Sequence, residues 1–223
     1  AVLWNMIPRN PTDAASRPVP AQAEMKTLTE EEVRCLSEQS EDDDFHALWV
    51  LLATTGVRLG EALGLRWEDI DLTGGRITVK RALQRQRGKG LVFVEPKTAR
   101  SRRTLHLAQG AIAALSRQKR LQAKWRLHAG PSWQENGLVF ATQIGRPLDG
   151  GQVNHRFHSA LAAADLPDIR VHDLRHTSAT LLLTRGVHPK VVQEMLGHSS
   201  ITLTLDTYSH VVPALHAQAA NGL

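Results

Sequence analysis

The chain has 223 residues, 42% of them hydrophobic, which suffices for one large domain or two small ones with an ample core. No apolar run approaches the roughly 20 residues needed to cross a bilayer, and no Arg-flanked apolar leader is present. The single cysteine, Cys35, excludes an internal disulfide framework and points to a reducing compartment, with the cytoplasm as the expectation. The net charge of +5 is unevenly spread: between Lys80 and Arg126 there are 14 Lys or Arg against one acid, Glu95. That block reads as an electrostatic footprint for a polyanion, or as a solvated loop and helix. It lacks the wide apolar face of a membrane-surface helix, so no membrane partner is expected.

In chain order, residues 1–6 look like the tail of a helix, and 8–20 form a linker without periodicity. Thr29-Glu30-Glu31-Glu32 is a capping box opening a helix to about Gln39. An acidic turn follows, then an apolar helix over 44–55 that Gly56 ends. A short helix starts near Arg58. Arg58 and Glu61 stand three apart and can pair, either as a surface ion pair worth little or as a semi-buried cation held ready by a carboxylate.

A strand is expected over 76–81, a basic turn over 84–90 and a second strand over 91–95, the two forming a hairpin. Pro96-Lys97-Thr98 interrupts the strands, leaving Lys97 on a turn, and 103–107 reads as a third strand. A long basic helix covers 108–128, residues 138–140 are a short apolar run, and helices follow at 152–164, 172–185 and 188–196. Gly186 and Gly197 close the last two. Ser199 or Ser200 opens a final short helix carrying Tyr208, the chain's only tyrosine. The fold class is mainly α with a small antiparallel β-sheet (α+β). A helix from His172 sets His172, Arg175 and His176 on one face, with Leu174, Ser178 and Leu181 opposite, so that positive chemistry points away from the core.

Five separated pieces, T-G-V-R-L-G-E, P-K-T, H-D-L-R-H, L-G-H-S-S and D-T-Y-S-H, resemble the tyrosine recombinases, the phage-integrase type of site-specific recombinase. The likeness runs from about Thr29 to Val212. It implies that Arg58 and Arg175 bind the scissile phosphate, that Lys97 is the hairpin-turn lysine, and that His172 and His198 are the two active-site histidines. It further implies that Tyr208 is the nucleophile and that Glu61 supports the first arginine. A catalytic domain over 26–212 is expected, preceded by the end of an amino-terminal DNA-binding domain and its linker (1–25). The tail, 213–223, would either dock on a neighbouring protomer or fray. The resemblance implies double-stranded DNA recombination sites as partners, a homo-tetramer on DNA, room for accessory DNA-bending proteins, and no cofactor. It also places the protein with the nucleoid of a bacterial or phage-infected cell. Leu203 departs from the family pattern, where a threonine is frequent.

The chemistry accounts for this residue set. Conserving the energy of a phosphodiester requires a covalent enzyme–phosphate bond, hence a side-chain nucleophile. A phenol with a pKa near ~10 needs a proton acceptor at neutral pH, a role given to His172. Two guanidiniums and an imidazole N–H can stabilise charge on the non-bridging oxygens, and Lys97 can protonate the departing 5′-oxygen. Three rival readings compete. His172 and His176 at i, i+4, with His198 further on, resemble zinc-ligand spacing. But Asp173 stands where a glutamate base is wanted, Arg175 would crowd the metal, and Arg58, Lys97 and Tyr208 would have no role. His176 is therefore read as structural or phosphate-adjacent. A type IB topoisomerase shares the chemistry and differs in outcome. A DNA-binding module without catalysis would make Tyr208 an ordinary buried aromatic.

Overall fold

In a computed structural model, the structure describes residues 7, 10, 25–95 and 102–208. The expectations for residues 1–6, for 8–20 apart from residue 10, for Lys97 and for 213–223 lie outside them. Helix α1 (Glu30–Gln39) opens on the expected capping box: Thr29 Oγ1 accepts from Glu32 N–H and the Glu32 carboxylate accepts from Thr29 N–H. Helix α2 (His46–Thr55) carries apolar residues on all sides, and seven consecutive ones, Ala47 to Ala53, are buried. A helix of that kind belongs in the middle of a domain. It packs on α1, on α4 (Gln109–Ala129) and on α6 (Asp173–Thr184), while α1 also meets α5 (Gly150–Ala163). Trp49 anchors this core, stacked on Phe45 and tilted against Phe157 at a centroid distance of 5.0 Å.

The strands depart from the expected single hairpin. β1 (Ile70–Asp71), β2 (Arg76–Val79) and β5 (Arg103–His106) form one antiparallel sheet in the order β1-β2-β5, with Ile77 opposite Leu105. β3 (Ala82–Gln86) and β4 (Gly90–Val94) form a separate ribbon, so residues 82–86, partly assigned to a turn, are strand. The break between β2 and β3 has a physical cause. Lys80 and Arg81 both bind the buried Asp69 carboxylate, at 3.0 and 2.5 Å, which pins the chain to the 3-10 turn Trp67–Asp69 and redirects it. The ribbon then lies against α3 (Leu59–Leu63). A Cβ on Gly60 would meet the Leu83 carbonyl at 2.8 Å, so this approach requires glycine.

The apolar run 138–140 is neither helix nor strand. Its ends make isolated bridges, Arg66 with Leu138 and Ala141 with Pro147, and its side chains are buried. After α6 come α7 (Pro189–Leu196) and α8 (Ile201–Thr207), with Gly197 in the left-handed conformation between them and Ser200 capping α8. Tyr208 is the C-cap of α8, just past the helix expected to carry it. Ala179, Leu183, Val192, Leu196 and Tyr208 form a second, small core apart from the main one. Among the described residues no helix is long and apolar enough to cross a membrane.

Candidate active site

Gly56, at the C-terminus of α2, turns the chain so that Arg58 becomes the N-cap of α3 and Glu61 its third residue. The Glu61 carboxylate accepts from Arg58 N–H at 2.9 Å and from Arg58 Nη1 at 3.0 Å. The expected pair forms, but Arg58 is not semi-buried: its side chain is 47% exposed. The buried arginine on that carboxylate is Arg103, which the sequence reading missed. Arg103 makes a two-pronged contact with Glu61 (3.2 and 2.8 Å) and donates from Nε to the Met195 carbonyl at 2.7 Å. Burial would raise the Glu61 carboxyl, yet the Arg103 hydrogen bonds and charge, with help from Arg58, hold it below the ordinary carboxylate range.

Arg103 was legible in principle. It alternates with Leu105 and Leu107, so it sits on the inward face of its strand, where a cation needs an acid. Its neighbour Arg102 points outward to Glu95.

Arg175 also corrects the sequence reading. It does not point away from the core but is only 3% exposed, with Nη1 on the Gly56 carbonyl and Nη2 on the Leu196 carbonyl, each at 2.7 Å. Those carbonyls end α2 and α7, so the guanidinium sits between two helix C-termini, where the backbone dipoles favour a cation. Burial and then the charge of Arg58 bring its pKa down to about 10, which leaves it protonated at neutral pH. On the same helix Leu174 and Ser178 are buried as expected, and Leu183 rather than Leu181 is buried with them.

His198 follows Gly197, with its ring Nδ1 2.8 Å from Thr204 Oγ1 of α8. Burial, with the charges of Arg175 and Arg58, pushes its pKa down to about 4. His172 is the N-cap of α6 and exposed, its pKa lowered by partial desolvation and then by Arg175. His176 Nδ1 lies 3.0 Å from the Tyr208 hydroxyl. The rings of His172 and His176 stand perpendicular, 5.3 Å apart. Tyr208 is 1% exposed, and burial pushes its pKa up to about 12 against the opposing pull of Arg175. Arg58, Arg175, His172, His198 and Tyr208 therefore gather in one place from four segments. Lys97 falls in the chain between β4 and β5, outside the described residues.

The zinc reading finds no support in this geometry. Among the described residues no three His, Cys, Asp or Glu side chains converge as metal ligands, and the Nδ1 of His176 faces a phenol. The basic block is also less of a bare footprint than its composition suggests. Arg81, Arg85, Arg102, Arg103, Arg117 and Arg126 each pair with an acid, most of them from outside the block.

The model of the phage integrase family matches residues 26–214. A XerC-like tyrosine recombinase of Caldanaerobacter subterraneus subsp. tengcongensis is 33% identical over 213 residues, covering 91% of this chain and 54% of that protein. An integrase of Saccharopolyspora erythraea is 26% identical, covering 97% of this chain and 61% of its own. The chain thus spans about half to three-fifths of the length of these relatives. Among solved structures, the Tn1549 transposon integrase in complex with transposon right end DNA superposes with a TM-score of 0.79 at 26% identity, covering 99% of this chain and 74% of that one. The XerA recombinase, at 24% identity and a TM-score of 0.69 over 95% of this chain and 69% of its own, shares the fold.

Proposed function

This chain belongs to the phage integrase family, and from that premise we propose that it is the catalytic part of a tyrosine site-specific recombinase that cleaves and rejoins DNA. The observation that carries the proposal is the grouping of Arg58 with Arg175, close enough for the charge of one to lower the pKa of the other, beside the only tyrosine, whose hydroxyl meets His176, the residue next to Arg175.

In this reading, a scissile phosphate lies against Arg58, Arg175 and His198. Arg175 uses two of its five N–H donors on backbone carbonyls, which fix the plane of the guanidinium and leave its remaining donors to the phosphate. A fixed donor set of this kind stabilises charge developing on the non-bridging oxygens without reorganisation. The Tyr208 proton passes to His172, the phenolic oxygen bonds to phosphorus, and the bond from phosphorus to the 5′-oxygen breaks. The 5′-oxygen takes its proton from Lys97. What remains is a 3′-phosphotyrosyl enzyme whose linkage the 5′-hydroxyl of a partner strand attacks in reverse. The energy of the phosphodiester is conserved, so the step calls for no nucleotide or metal. Strand exchange between two duplexes further implies four protomers on DNA, working in the cytoplasm on the nucleoid.

A duplex nicked beside the cleavage point tests this, because loss of the short 5′ fragment traps the adduct. We expect a covalent protein–DNA product in excess EDTA from this chain and none from Tyr208→Phe. Binding without an adduct would favour a DNA-binding module, and dependence on added metal would favour a hydrolase. Joining of two duplexes, as against relaxation of a supercoiled plasmid, separates a recombinase from a topoisomerase.

A further inference from the structure

Arg58 is open to solvent, so a phosphodiester must approach it from outside, whereas the phenol that should attack that phosphodiester is buried. Tyr208 lies in the small core with Ala179, Leu183, Val192 and Leu196. Its hydroxyl is within hydrogen-bonding distance of His176 Nδ1, and its ring is tilted at 58° to the His176 ring, with centroids 5.8 Å apart. A hydroxyl covered in this way meets no phosphodiester where it stands, so the side chain or its cover has to move before attack.

The element that carries it is suited to leaving. Helix α8 has only seven residues, and three of its apolar side chains, Ile201, Leu203 and Leu205, are exposed. Thr204 and Tyr208, one turn apart, are buried, and each has a histidine partner: Thr204 meets His198, and Tyr208 meets His176. The second contact falls on the reacting atom itself.

We propose that His176 is a positioning residue that parks the nucleophile. Its Nδ1 accepts the Tyr208 O–H and holds the phenol in a closed, non-attacking place. Release swings the hydroxyl away from His176, whose ring lies against His172, the proposed proton acceptor. The inference rests on the reading of Tyr208 as the nucleophile. The contact itself is accessible without DNA.

Because the chain has one tyrosine, tyrosinate absorbance and nitration by tetranitromethane report on Tyr208 alone. Two variants make the test. His176→Phe keeps a ring of similar shape but lacks the acceptor, and His176→Asn keeps an acceptor oxygen near the place of Nδ1. In the parent, Tyr208 should titrate near about 12 and nitrate slowly. In His176→Phe the phenol, released from the buried place that raises its pKa, should titrate closer to the ordinary value of about 10 and nitrate about five- to tenfold faster, with His176→Asn close to the parent. Single-turnover cleavage of the nicked duplex by His176→Phe should equal or exceed that of the parent.

Unchanged titration and nitration in a folded His176→Phe protein would overturn the proposal. So would loss of cleavage with DNA binding intact, because His176 would then serve the chemical step. Should the Phe variant not fold, ring 15N shifts of the parent decide the matter: His176 must be the Nε2–H tautomer with Nδ1 accepting, and an Nδ1–H tautomer overturns it. If the titration shifts as expected while parent and variant both fail to form an adduct, the nucleophile reading fails and the hydrogen bond stands.

Discussion

Arg175 and Tyr208 are both almost fully buried, but what buries them differs. Arg175 is fixed by two backbone carbonyls at the ends of α2 and α7, beside the Glu61–Arg103 pair that joins α3 to β5. Of these elements α2, α3 and β5 rest on the main core, whose residues run from Leu28 to Leu174, while the Leu196 carbonyl comes from the edge of the second core. Tyr208 belongs to a core of five residues and is one of the five. Moving Arg175 would strip two carbonyls deep in the protein, whereas moving Tyr208 withdraws one side chain from the satellite core. Under the proposed function the cations would be preorganised and the phenol releasable, which suits a reaction whose charge stabilisation is fixed before attack and whose attacking group is withheld until DNA is bound.

The largest expected effect tests the fixed side. Arg103→Met leaves the buried Glu61 without its two-pronged partner and should lower the unfolding free energy by about 3–5 kcal/mol in denaturant titrations, as for other broken buried pairs. Arg58→Ala removes the exposed arm of the same carboxylate. Its cost in stability should stay within about 1 kcal/mol, while adduct formation slows by about 10²–10³-fold, the range for losing one fixed donor at a developing anion. One acid with two arginines thus separates structure from chemistry. Equal destabilisation by the two substitutions would erase the distinction between a buried brace and a solvent-facing phosphate ligand.

The sequence disclosed the parts of this arrangement unevenly, for identifiable reasons. Helix boundaries came through because they depend on local signals: the Thr29–Glu32 capping box, Gly56, Gly197 and the Ser200 cap. Strand partners did not, since the ion pairs of Lys80 and Arg81 with Asp69 that divide β2 from β3 connect residues more than ten positions apart. The direction of Arg175 was misread for a similar reason. Helical periodicity gave it a face but could not reveal that the ends of two other helices offer carbonyls there. Arg103 shows the opposite failure, a local sign of a cation on the apolar parity of a strand that went unread among the surrounding arginines. His176 was taken as structural or phosphate-adjacent, and only the fold supplies its partner, 32 positions away.

Acid should sharpen the contrast by loosening the mobile side first. The His198 ring takes up a proton near 6.5 when unfolded but only near about 4 when folded. Between those values the unfolded chain binds more protons, so stability is full above pH 6.5 and falls as the pH drops toward 4. For a ring partly open to solvent the loss should be on the order of 1–2 kcal/mol. His172 and His176, also held below their ordinary value, act in the same direction. Glu61, held below the carboxylate range, should keep the fixed side closed until more acid conditions. Urea titrations from pH 7 to 4 check this: His198→Gln should flatten the slope, and an unchanged slope would place the acid sensitivity elsewhere.

The smallest effect is the most discriminating. Tyr208→Phe keeps the aromatic ring in the second core and deletes the hydroxyl's bond to His176, leaving His176 Nδ1 on a half-buried ring that water can reach. The expected loss of stability is therefore about 0.5–1.5 kcal/mol, well short of the penalty for a fully buried orphan. Amide exchange in α8 should quicken by about two- to tenfold, the rate equivalent of that loss, while the α2 amides are unaffected, because the deleted bond pins the end of α8 and no part of the main core. A cost above about 3 kcal/mol would mean that the phenol is fixed as firmly as Arg175. The phenol would then be too costly to release, and the proposed division between a rigid cation site and a movable tyrosine would fail at the residue on which it rests.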